Sequence, residues 1–112
     1  MAQMNHLSDN QLRVTLRTKN GALVNPLEVW VRVHLRSGGK EFVAVNDPTG
    51  EDTKNCHIDK ETGKLMLDIP KGKLFTGQLE YMTVYREDCK FFADGYKHTV
   101  ANKYKQTGIE VV

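Results

Sequence analysis

The sequence predicts an all-β fold: a sandwich of seven or eight short strands, with a small barrel as the alternative architecture. Three observations predict it. Apolar residues alternate with polar ones at period two along most of the chain. Clusters of Gly, Asn and Asp punctuate that alternation at turn-like intervals. No segment sets apolar residues at helical spacing over three turns. The length, 112 residues, is that of one domain, and a chain of this size buries about two-thirds of its unfolded surface without help from disulfides or metals. The expected division is a flexible segment over residues 1–10 and a single sandwich domain over 11–112.

The first strand is expected over Gln11 to Thr18, with Leu12, Val14 and Leu16 on one face and Arg13, Thr15 and Arg17 on the other. Asn20-Gly21 then marks a turn. Leu27 to Leu35 carries the clearest pattern. Leu27, Val29, Val31, Val33 and Leu35 face one way, while Glu28, Trp30, Arg32 and His34 face the other. Its β-branched residues suit a pleated core. Ser37-Gly38-Gly39 turns the chain into a short strand over Lys40 to Val45. Asn46 to Asn55 is a long polar loop, the kind of segment that carries function on a β scaffold.

Cys56 to Asp59 reads as a brief strand, and Lys60-Glu61-Thr62-Gly63 as a tight turn with positive φ at Gly63. Lys64 to Ile69 alternates again until Pro70, which cannot donate to a ladder. Lys71 to Thr76 is a connection with room for one helical turn. Gln78 to Glu87 forms a long strand. It has Leu79, Tyr81, Thr83 and Tyr85 on one face and Glu80, Met82, Val84 and Arg86 on the other. Asp88 to Gly95 connects to a weakly alternating stretch over Tyr96 to Tyr104, and Ile109 to Val112 closes the fold. Lysines over Lys97 to Gln106 suit an edge hairpin that discourages unwanted pairing.

Charge is nearly balanced: 16 Lys and Arg against 14 Asp and Glu give a net +2. That balance argues against duplex binding, which demands a basic excess. The acids concentrate between Asp47 and Glu61, and the bases on the early strands and the last hairpin. Two opposed patches suit the packing of copies better than nucleic acid. No apolar run approaches a membrane span, and the first ten residues lack the pattern of a secretory signal. The sequence therefore predicts cytoplasmic synthesis and no membrane partner.

Candidate sites are few. Cys56 and Cys89 read as reduced, partly buried thiols. With His57 and His98 they match no zinc spacing, so no metal is expected. Asp47, Glu51 and Asp52 offer oxygen ligands but lack the EF-hand pattern. His57, Asp59 and Glu61 come with no nucleophile motif, and neither an enzyme nor a cofactor is predicted. Trp30 is the unusual residue, placed opposite a row of valines. If the first two strands pair, Trp30, Arg32 and His34 join Arg13 and Arg17 in a basic, aromatic platform. Trp30, Arg32, His34, Tyr81 and Tyr85 are the expected interface residues, because interfaces favour tryptophan, tyrosine and arginine. The same aromatics would serve a carbohydrate-binding or adhesin-like module.

Three segments carry a family resemblance: LRVTLRTKNGALVNP over 12–26, KLMLDIPKGKLFTGQLEYMTVYRED over 64–88, and CKFFADGYKHTVANKYKQTGIEVV over 89–112. Their strand order and corner residues resemble the immunoglobulin-like N-terminal domain of bacteriophage baseplate upper proteins and related tail proteins. The resemblance implies an immunoglobulin-like β-sandwich and a virion structural module without catalytic residues. Its implied partners are copies of itself, often as a trimer, and other tail proteins. The chain is short for such a protein, which usually continues into further domains.

Overall fold

A computed structural model of the chain describes residues 2–17, 22–85, 100–101 (backbone only) and 104–112. Among them lie nine strands and no helix. These are β1 (Ala2–Met4), β2 (Asn10–Val14), β3 (Val31–Ser37), β4 (Lys40–Asn46), β5 (Cys56–Ile58), β6 (Leu65–Ile69), β7 (Gly77–Tyr85), β8 (Val100–Ala101) and β9 (Lys105–Val111). They form two sheets, as the alternation predicts. The large sheet runs β1-β9-β7-β3-β4, with β8 beside β7, and the small one runs β2-β6-β5. The count exceeds seven or eight because of the very short β1 and β8.

The core follows from the period of two. Val31, Val33 and Leu35 of β3 are fully buried, as are Leu65 and Leu67 of β6 and Leu79 of β7. β3 lies between β4 and β7, antiparallel to both, with Leu35 opposite Phe42 and Tyr81. Its inner row packs in one cluster with the leucines of the small sheet. Burying one such aliphatic side chain contributes about 1.5–3 kcal/mol. The β3–β4 hairpin needs positive φ at both central residues, and Gly38 (φ 54°) and Gly39 (φ 81°) supply it. Gly38 has a second constraint: a Cβ there would sit 2.5 Å from the Thr76 carbonyl oxygen.

The crossing from the small to the large sheet is fixed by one amide. Asn46 is buried at the end of β4, and its Nδ2 donates to the carbonyls of Pro26 (2.7 Å) and Val29 (3.0 Å). The two sheets are also stitched along their β4–β5 side. Val45 and Lys54 exchange backbone hydrogen bonds, Asn55 Nδ2 donates to Val43 O, and the Cys56 thiol donates to Val45 O. The opposite side, between β2 and β9, has no such stitching among the described residues.

Several expectations need correction. Residues 1–10 do not form a flexible lead: Ala2–Met4 pair in parallel with Ile109–Val111, and Met4 is buried. The edge of β9 offers this segment a ladder, which the sequence pattern does not reveal. The first strand ends at Val14 rather than Thr18, although Leu16 stays in the core. The strand expected from Leu27 begins at Val31. Asn25 explains the delay, since its Oδ1 accepts from Leu27 N and its carbonyl from Glu28 N, folding 25–28 into a turn. β2 pairs with β6, not with β3, so Arg13 and Arg17 do not join Arg32 and His34. Residues 71–76 make turns without a helical one. The Asn20-Gly21 turn and the connection over 88–95 lie outside the described residues.

The Asn46 clamp makes a prediction. Replacing Asn46 with Ala strands two buried carbonyls and should destabilise the fold by about 1–3 kcal/mol. Asn46→Asp, which sets a carboxylate against the same carbonyls, should cost at least as much. Urea denaturation measures both, and a change under about 0.5 kcal/mol, the ordinary scatter of neutral surface substitutions, would show the clamp to be incidental.

Candidate functional site

In antiparallel strands, residues directly opposite each other share a face. The register therefore puts Arg32, His34 and Arg36 of β3 on the outer face of the large sheet. Val45, Val43 and Glu41 of β4 join them there, with Val84, Met82 and Glu80 of β7. The polar members of this face form a connected network. Arg32 Nε donates to His34 Nε2 at 2.8 Å. Arginine has no acceptor, so His34 carries its proton on Nδ1, which faces Glu41 Oε1 at 3.4 Å. The Tyr104 hydroxyl donates to Glu41 Oε2 at 2.6 Å. The Arg36 guanidinium lies 3.7 Å from the centre of the Tyr104 ring and forks onto both Glu80 oxygens at 3.1 and 3.4 Å.

Local chemistry sets the charges. The Tyr104 hydrogen bond, followed by smaller contributions from His34 and Arg36, holds the Glu41 carboxyl below its ordinary range. Burial, then the bond to Glu41, pushes the Tyr104 hydroxyl up to about 12. The Glu80 carboxylate raises the Arg36 guanidinium further. The face thus spends its polar groups on one another across three strands and the segment before β9.

The five expected interface residues do not share a surface. Arg32 and His34 sit together on the outer face, half-buried, with half-buried Trp30 just before β3. Tyr81 and Tyr85 lie on the inner face, opposite Leu35 and Val31. Tyr85 is only 2% exposed. Its hydroxyl donates to the Arg17 carbonyl at 3.1 Å, tying the strand end to the segment after β2. A tyrosine that fills the core and anchors backbone is no contact surface. A period of two separates the faces of a strand but does not say which face of β7 turns inward.

The remaining candidates are dispersed. Cys56 and His57 point to opposite faces of β5, and Cys89 and His98 lie outside the described residues. Burial pushes the Cys56 thiol up to about 11, so it is a poor nucleophile. His57 Nδ1 meets Asp68 Oδ2 at 2.7 Å, not Asp59 or Glu61. Asp59 instead caps its turn through Glu61 N and Thr62 Oγ1, which lowers its carboxyl. Asp47 accepts from Thr49 N and Asp52 N, so its carboxylate organises its own loop.

Sequence reasoning missed the two ends of the sandwich. Leu23 and Leu27 are 71% and 64% exposed beside the start of β3. Leu7 and Phe75, 71% and 47% exposed, lie beside its finish, where the His6 ring packs edge-on to Phe75 at 5.4 Å. The signal was there: apolar residues in turn-rich segments such as Asn25-Pro26-Leu27. Comparison with protein-family models, curated proteins and solved structures found no match.

The Tyr104–Glu41 bond makes a pH-dependent prediction. Unfolded tyrosine ionises near 10, whereas folded Tyr104 keeps its proton to about 12. A raised folded value means that its stabilisation is complete below 10 and is lost as pH climbs towards 12. The stability difference between the native chain and Tyr104→Phe should therefore shrink across that window. Parallel urea titrations at pH 8 and 11 measure it. A difference that stays constant would show that the hydroxyl does not hold its proton there.

Proposed function

We propose that the chain is a non-enzymatic, immunoglobulin-like assembly module of the kind found in phage tail and baseplate structures, working through protein–protein contacts with its own copies. Strand order supports the immunoglobulin-like reading. A β9-β7-β3-β4 row facing β2-β6-β5 corresponds to the GFCC′ and BED strands of variable-type domains. The first strand lies against the last.

The observation that carries the functional reading is the pair of apolar ends. Seven residues of β3 separate them by about 20 Å at about 3.3 Å per residue. Isolated exposed leucines are ordinary, but two large apolar residues exposed near each end of one strand offer apolar surface for contact. Different patches at opposite poles make a heterologous contact: the Leu23–Leu27 end of one copy meets the Leu7–Phe75 end of the next. Such contacts close into rings, a trimer being the smallest, or grow into filaments. A glycan site would need an open aromatic platform, and with Trp30 half-buried and Tyr85 inside, this surface offers none.

Sedimentation over a range of concentrations tests the reading. The native chain should self-associate, and Leu27→Glu or Phe75→Glu should each make it monomeric with unchanged thermal unfolding. Mixing the two variants should restore a dimer, since one contact per pair stays intact. A native chain that is monomeric at every concentration would defeat the proposal.

A further inference from the structure

Among the described residues β2 is the outermost strand of the small sheet, and one row of its backbone N–H and C=O groups faces no described strand. Its inward residues Leu12 and Val14 are only half-buried, although Leu65 and Leu67 on the neighbouring β6 are fully buried. Across the gap, β1 covers β9 only at Ile109–Val111. Between the two edges lies a cleft of about 390 Å³, walled by Leu12, Val14, Tyr81 and Ile109 over a floor of Val33 and Leu35. Arg13 and Arg17 also line it, and among the described residues no Asp or Glu does.

We infer that this slot accepts an extended peptide segment of a partner protein, added as an extra strand on β2, with aliphatic residues at alternate positions and acidic residues at its ends. The inference rests on reading the chain as an interaction module, but it uses a surface distinct from the two ends. Each feature of the slot fixes one feature of the occupant. The bare edge supplies main-chain hydrogen bonds, which give affinity without regard to side chains. The half-covered apolar walls receive every second side chain, because strand side chains alternate. The cleft volume lies at the lower end of the roughly 300–1,000 Å³ typical of binding sites, which suits a few aliphatic side chains. Arg13 favours carboxylates at the mouth. It also disfavours a second copy of β2, which would bring Arg13 of each copy into one sheet with like charges close together.

The probe is a synthetic eight-residue peptide with valine and leucine at alternate positions, threonine between them and aspartate at each end. Added to the full chain, it should slow amide exchange at Asn10–Val14 and move the NMR signals of Leu12, Val14 and Ile109. A peptide of the same composition with its aliphatic residues contiguous should do neither. Arg13→Glu, which leaves the core untouched, should weaken binding about two- to five-fold, as expected for one exposed charge pair. Val14→Asp should abolish binding, and Arg13→Glu keeps the test valid if that variant fails to fold. Equal binding of both peptides, or protection elsewhere than β2, would overturn the proposal. So would protection of Asn10–Val14 that rises with protein concentration alone, since the occupant would then be a second copy. Leu27→Glu should bind the peptide normally, so failure of end-to-end assembly and failure of the slot are separable.

Discussion

The structure depends on one constraint: β3 must be covered on its inner face and paired on both edges. Val31, Val33 and Leu35 are almost wholly excluded from solvent. That is possible only because β4 and β7 flank the strand while the small sheet lies across it. Everything that closes the molecule serves this requirement. Asn46 brings the approaching chain over the start of β3, the two glycines let β4 fold back at once, and the Tyr85 hydroxyl holds the segment after β2 in place. Since β3 is the hub of the large sheet, its outer face inherits a fixed spacing, and the Arg32–His34–Glu41–Tyr104 chain of contacts is built on that spacing.

Closure is unequal on the two sides. Along β4 and β5, backbone and side-chain donors occupy the edge, and an edge so occupied does not recruit another chain. Along β2, among the described residues, no strand pairs with the outer edge, and Leu12 and Val14 are half-buried. Working as the proposed interaction module, such a sandwich would associate by this flank and by its two apolar poles. The polar outer face of the large sheet is different again, because Arg32 pairs with His34, Tyr104 with Glu41 and Arg36 with Glu80. Contact chemistry on this domain is thus sorted by place: apolar at the poles, main-chain hydrogen bonding on one flank, and mixed charge on the broad face.

Much of the fold was legible in the sequence, for a physical reason. Alternation reports burial directly, so Leu65, Leu67 and Ile69 announced both their strand and its inner face, and Pro70 announced its end. The turn at Gly63 was legible because only a few residues tolerate positive φ. What stayed hidden were matters decided by partners. β1 exists because β9 offers an edge, and AQM carries no pattern of its own. Leu27 continued the alternation in phase, yet Asn25 captured its amide and turned it outward. The candidate site fared worse. Arg32 and His34 fall on one face, as their spacing implies, but Tyr81 and Tyr85 belong to the opposite face, which only strand pairing reveals. Glu41 and Tyr104 gave no sequence signal, because their contact joins positions 63 residues apart.

The parallel pairing of β1 with β9 has a mechanical consequence. In a parallel pair the chain enters one strand and leaves the other at opposite ends, so tension along the chain slides the strands past each other. The evenly spaced bonds of such a ladder then bear the load together, whereas a hairpin pulled at its open end unzips bond by bond. Here the ladder is prolonged by bonds from Val112 N to Met4 O and from His6 N to Val112 O. A domain fastened in this way is stiff to tension along its chain and yields more readily when a sheet is peeled from its edge.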